Sequence, residues 1–97
     1  MATYISLLRY THQGVTSIKE GPGRVDAARK AYAELGAELK AVYFVMGRYD
    51  FVTIVEAPDD VTAARAAVAL GSKGNVSSET LRAFTQDEFR SIVAGLP

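Results

Sequence analysis

The chain of 97 residues has no cysteine, no tryptophan and a single histidine, and its 11 basic residues balance its 11 acidic ones. Without cysteine there is no disulfide, no thiolate nucleophile and no thiolate-based metal site. The lone histidine, His12, has no carboxylate at an i+4 helical spacing, which makes a poor metal centre. No metal and no cofactor is therefore expected. The basic residues are scattered from Arg9 to Arg90, so the charged block that marks a nucleic-acid binder is missing. No apolar run approaches the roughly 20 residues that cross a bilayer. The start of the chain, Met1 to Tyr10, reads as a first strand in place of a basic leader and apolar core. The expectation is a cytoplasmic protein with neither nucleic-acid nor membrane partners.

What is present is a pattern of short elements. A chain of this length forms one domain over residues 1–97 and buries roughly 60–70% of its unfolded surface, so dimerisation would add needed stability. Residues 3–10 read as a strand. Residues 11–23 form a long connection punctuated by Gly21-Pro22-Gly23, with one turn of helix near Ser17-Ile18-Lys19, and connections that long are usually functional or mobile. A helix over 24–35 follows from Val25, Ala28, Tyr32 and Leu35 at helical spacing, closed by Gly36. Residues 39–46 are a nearly all-apolar strand. Gly47-Arg48-Tyr49 reads as a tight turn into a third strand over 50–56, antiparallel to the second. Pro58 stops that strand, and Asp59 or Asp60 caps a helix reaching Leu70. A last strand spans 76–84. Thr85 and Glu88 then have capping-box spacing and open a short helix to about Ala94.

The order β-α-β-β-α-β with a terminal helix predicts an α+β, ferredoxin-like split βαβ sandwich, its two main helices on one face of a four-stranded antiparallel sheet. The strands are apolar on both faces, so the helix-free face is expected to meet a second subunit. Tyr4, Leu8, Tyr43, Val45 and Thr53 are candidates for that face. A one-residue error in alternation would exchange the two sets. Two sheets packed in this way form a dimeric α/β barrel.

The run Gly47-Arg48-Tyr49-Asp50, followed by an apolar strand and Glu56-Ala57-Pro58-Asp59-Asp60, resembles the signature of the GYD domain family. Thr11-His12-Gln13-Gly14, Arg24, Gly36, and Gly74-Asn75-Val76 leading to Glu79 through Thr85 match it in the same order. The resemblance covers nearly the whole chain. It implies the ferredoxin-like fold and the dimeric barrel assembly, and it implies no particular reaction or any role for His12. A looser similarity runs to the amino-acid-binding modules of leucine-responsive transcription factors, which share the element order and a Gly-x-Tyr-Asp hairpin. No DNA-binding helix-turn-helix accompanies it here.

Four residues are candidates for a ligand site. Asp50 would stand at the barrel mouth as base or acceptor with Tyr49 as donor, or else would only hold turn amides. Arg82 shares a strand face with Ser78 and Thr80. It could anchor a carboxylate through its planar fork, or form a salt bridge with Glu56 or Asp50 across the interface. His12, of the residue type suited to proton transfer near neutrality, falls at the rim as ligand group or bystander. Gly21-Pro22-Gly23-Arg24 matches neither a P-loop nor a dinucleotide fingerprint and reads as a helix start. Three function classes stay open: a dimer binding a small organic ligand between sheet, helices and partner subunit; a cofactor-free isomerase or monooxygenase acting on a small aromatic or lactone substrate; and a structural or interaction dimer, or a free-standing amino-acid-sensing module.

Overall fold

Alternate residues of the first strand disappear beneath helices. In β1 (Ala2–Tyr10), Tyr4, Ser6 and Leu8 are buried while Ile5 and Leu7 are only half-buried. The computed structural model describes residues 1–97. After β1 come α1 (His12–Thr16), a 3-10 turn (Ile18–Glu20), α2 (Gly21–Glu34), β2 (Glu38–Phe44), β3 (Phe51–Ala57), α3 (Asp60–Gly71), β4 (Val76–Ala83) and α4 (Gln86–Ala94). The four strands form one sheet in the order β2-β3-β1-β4, every neighbouring pair antiparallel. α2 and α3 pack on the same side of it, which is the ferredoxin-like arrangement.

The core lies between that sheet and those helices. Tyr4, Leu39, Val55 and Ala57 meet Tyr32 of α2 and Ala63 and Ala66 of α3. The two alanines lack bulk, so α3 comes close to the sheet. Asp59 caps α3 by accepting the Thr62 amide at 2.8 Å, and those hydrogen bonds hold its carboxyl below the usual range.

Register decides which strand face meets the helices, and here it reverses part of the expected set. Ser6 opposes Thr53, Tyr4 opposes Val55 and Leu8 opposes Phe51, all on the helix side. Tyr4, Leu8 and Thr53 are therefore core residues, while Tyr43 stays on the open face opposite Val52. Period-two alternation defines two sets but not which one the helices cover. A register shift between Leu39 and Ala41 adds a further irregularity to β2.

Three boundaries also move. α2 begins at Gly21, three residues before the expected start, with Pro22 in its first turn. A missing N–H costs nothing there and the fixed φ favours helix. The long connection shrinks accordingly to α1 and the 3-10 turn. β2 stops at Phe44 and β3 starts at Phe51, so the tight turn is a longer connection over 45–50.

α4 stands apart. None of its residues is buried; Phe89 is 59% exposed and Val93 47%. Its start is secured by Thr85 and Glu88, which satisfy each other's amides. Nothing in the chain covers its apolar stripe of Phe89, Ile92 and Val93, or Leu96 just beyond its end. The molecule is 52 Å long, and its radius of gyration of 14.6 Å exceeds the roughly 12.5 Å of a compact chain this size.

Candidate functional site

Asp50 joins two strands at one end of the sheet. Its N–H donates to the Leu8 carbonyl at 2.8 Å, and its carbonyl accepts the Val45 N–H at 2.8 Å. Its carboxylate accepts the Tyr10 N–H at 2.8 Å. Asp50 thus closes the end of β1 and fixes the chain entering β3. Gly47, three residues earlier, has a φ of 118°, a left-handed conformation that a side chain would strain. Tyr49 turns to the open face, where its hydroxyl donates to Glu79 Oε2 at 2.9 Å and the Arg9 guanidinium lies 5.1 Å from its ring centre.

The other two candidates lie elsewhere. Arg82 opposes Tyr4 near the far end of β1. It lies over the rings of Tyr4 and Phe84 and 3.8 Å from Glu88 of α4. Beside it, the Tyr4 hydroxyl donates to Asp60. That hydrogen bond, with burial, raises the phenol above its ordinary value. His12 is exposed at the start of α1. Tyr49 and Asp50 are adjacent; the structure brings neither Arg82 nor His12 to them, and none of the four lines the cavity described below.

His12 sits instead within a segment that is itself a clasp. Thr11 donates through its N–H to the Asn75 carbonyl at 3.0 Å and through its hydroxyl to the Gly74 carbonyl at 2.5 Å. Gln13 Nε2 donates to Asn75 Oδ1 at 3.0 Å. Gly14 packs so tightly that a Cβ would lie 2.1 Å from the Asn75 carbonyl oxygen. Two motifs about 60 residues apart in sequence are one structural unit.

Sequence reasoning missed a cavity of about 140 Å³ between α2, the C-terminal end of α3 and the sheet. Leu8, Val25, Ala28, Tyr32, Val42 and Phe51 form its wall, which is almost wholly apolar, and Tyr10, Arg24, Lys73 and Asn75 also border it. Burial raises the Tyr32 phenol above its ordinary value. The helical spacing of Val25, Ala28 and Tyr32 was visible, but it reads equally as filled core. No group of three or more histidine, cysteine or acidic side chains is placed to hold a metal ion, and no helix is long and apolar enough to cross a membrane.

The open face of the sheet is the remaining large surface. Ile5, Leu7, Val52 and Ile54 are half-buried at its centre and Leu81 is 45% exposed. Polar groups frame them. Arg9, Tyr49 and Glu79 lie at one end, and Lys40 stands 3.7 Å from Glu38 and 3.8 Å from Glu56 at the other.

A small α/β sandwich whose Gly-x-Tyr-Asp segment ties the third strand to the first belongs to the GYD domain family, and that family's model matches residues 4–93. Among its relatives is a Thermus thermophilus protein named glutamine synthetase and cystathionine beta-lyase binding protein. It is 38% identical over 84 residues, which are 86% of this chain and 88% of that protein. The crystal structure of TTHA0845, also from Thermus thermophilus, is similar with a TM-score of 0.57 and 31% identity, covering 88% of this chain and 95% of that one.

Proposed function

We propose that this chain is a homodimeric binding protein: two copies join through their open sheet faces, and the pair holds a larger enzyme through α4. The observation that carries the reading is the open face itself, an apolar centre with a polar rim, which is the anatomy of a protein interface. Its size suits the task. Four strands about 4.8 Å apart and about eight residues long at about 3.3 Å each present roughly 500 Å² of flat area. Side-chain relief brings this near the roughly 800 Å² that each partner buries in a stable complex. Sheets packed in this way stand about 10 Å apart.

α4 supplies the second surface. Phe89, Ile92 and Val93 repeat at i, i+3 and i+4, the spacing by which an amphipathic helix fills a groove on a partner. The relative's name supports an enzyme as that partner. A cytoplasmic location belongs to the same proposal. Fluorescence anisotropy of the labelled chain, titrated with purified glutamine synthetase and separately with cystathionine beta-lyase, tests it. Saturable binding that the Phe89→Ser, Ile92→Ser double variant abolishes supports the reading. Binding to neither enzyme, or binding indifferent to that change, overturns it.

A second reading, a small organic ligand, is favoured by the cavity beneath α2. Its walls are formed before any partner arrives, as is usual for small-molecule sites.

A further inference from the structure

The packed core fills only part of the space between sheet and helices. Its strand members Tyr4, Leu39 and Val55 lie at the end of the sheet where β1 begins and β3 finishes, beneath Tyr32, Ala63 and Ala66. Leu8 is 4% exposed yet stands outside that cluster. At its end of the sheet, Val25 and Ala28 of α2, Ala69 and Leu70 of α3, and Val42 and Phe51 from the strands are all half-buried around the cavity of about 140 Å³. Small residues ordinarily let helices close on a sheet until no void remains; here the space between α2 and α3 stays open. Its surface carries almost no polar atoms. Of the two cations at its border, Arg24 is met by Glu20 at 3.0 Å and Lys73 is exposed to solvent.

We propose that this space binds a small uncharged apolar molecule, a single ring or a branched hydrocarbon chain of similar bulk, which completes the core. The inference rests on the second reading above, that the cavity holds a small organic molecule. Volume sets the size: about 140 Å³ is close to the roughly 150 Å³ apolar cavity that accommodates benzene in another protein. Phe51 supplies an aromatic side. Its ring meets Tyr10 edge to face at 5.4 Å and Phe44 at 5.5 Å between ring centres, contacts of a kind that an aromatic guest extends. The wall sets the chemistry. A charged group taken into it leaves water and finds no hydrogen-bond partner, and the burial of one ring does not offset that cost. An apolar guest has the opposite balance: it leaves water and restores the dispersion contacts that the lining side chains lack on that side. Because such a guest acts as missing core, its binding also stabilises the fold.

Three molecules built on one ring separate charge from bulk: toluene, benzoate and benzylammonium, which are neutral, anionic and cationic. Amide chemical-shift titration of the full chain follows binding, and melting curves follow its linkage to stability. Toluene should perturb the amides of Val25, Ala28 and Phe51, saturate at about millimolar concentration and raise the melting temperature. Both ions should bind at least about tenfold more weakly. Ala28→Leu puts a larger side chain into the same space. It should abolish toluene binding with a melting temperature at or above that of the parent, which also shows that the variant is folded. Ala28→Val fills less of the space and should weaken toluene severalfold. Toluene binding unmoved by both changes puts the molecule elsewhere and overturns the site. Either ion binding as tightly as toluene overturns the apolar class and leaves the small-ligand reading standing. Absence of binding by all three overturns both.

Discussion

The carboxylate of Asp50 accepts the backbone N–H of Tyr10 at 2.8 Å across 40 positions of sequence. β1 would otherwise end with that donor unpaired beside the hairpin connection. The aspartate of the Gly-x-Tyr-Asp segment is thus a strand-terminating group, and its two backbone hydrogen bonds to Leu8 and Val45 make the same junction rigid.

Asp50→Ala is therefore expected to destabilise the fold by about 1–3 kcal/mol, the cost of orphaning a part-buried donor. Asp50→Asn, which keeps an acceptor oxygen, should cost less. Urea denaturation measures both. Because Asp50 does not line the cavity, any small molecule bound there should keep its affinity in either variant. A loss of ligand binding at unchanged stability would return Asp50 to the candidate site.

Gly14→Ala should be severe, because the added methyl would sit 2.1 Å from the Asn75 carbonyl oxygen. Overpacking of that kind costs roughly 1–3 kcal/mol. Gly23→Ala is its counterpart: a Cβ there meets nothing within 4 Å, and alanine in α2 should stabilise by about 0.5–1 kcal/mol. Melting curves of the two variants should move in opposite directions from the parent.

Ile54→Glu places a charge at the centre of the open face without touching the helix-side core. Light scattering should find the parent as a dimer at micromolar concentration and this variant as a monomer with an unchanged far-ultraviolet spectrum. A monomeric parent, or a variant that still dimerises, rejects the sheet-to-sheet assembly.

Acid should weaken the fold through its helix caps. Asp59 and Glu88 sit below their ordinary values because Thr62 and Thr85 donate to them. Between the folded value and the ordinary value of about 4, the unfolded chain binds more protons. Stability is thus present above about pH 4 and is lost as pH falls through the folded values. Tyr4 and Tyr32 are raised, so stability declines again as pH climbs above about 10. Melting temperature against pH should show both limbs. Asp59→Asn, which keeps a capping oxygen, should flatten the acid limb; an unaltered limb would exclude Asp59 as its source.

The elements readable from sequence were those with local causes. Asp59 before an alanine-rich run and Thr85 three residues before Glu88 announce their helices, and both caps are present. Pro22 between two glycines reads as loop punctuation, yet the same residue is comfortable in a first helical turn, and α2 starts there. The two faces of β1 could be listed but not assigned, since Tyr4 and Leu8 are no more apolar than Ile5 and Leu7. The site was harder still. Asp50 was recognisable as a special residue, while its partner is a backbone N–H contributed by another strand. Arg24 reads as a helix start, and its place beside the cavity is set by residues of β1, β3 and α3 that no spacing rule brings together.

The central place of β1 has a consequence for how the chain is made. Its residues pair on one side with 51–57 and on the other with 76–83, so the earliest made of these four strands is the last to gain both neighbours. At about 5–20 residues per second on a ribosome, several seconds separate the emergence of Tyr10 from that of Val76. Through that interval Tyr4 to Leu8 present an apolar strand with an open hydrogen-bonding edge, the usual template for unwanted pairing. The clasp of Thr11 and Gly14 on Asn75 can close only when that wait ends, and a nascent chain stalled before Val76 should be a substrate for chaperones.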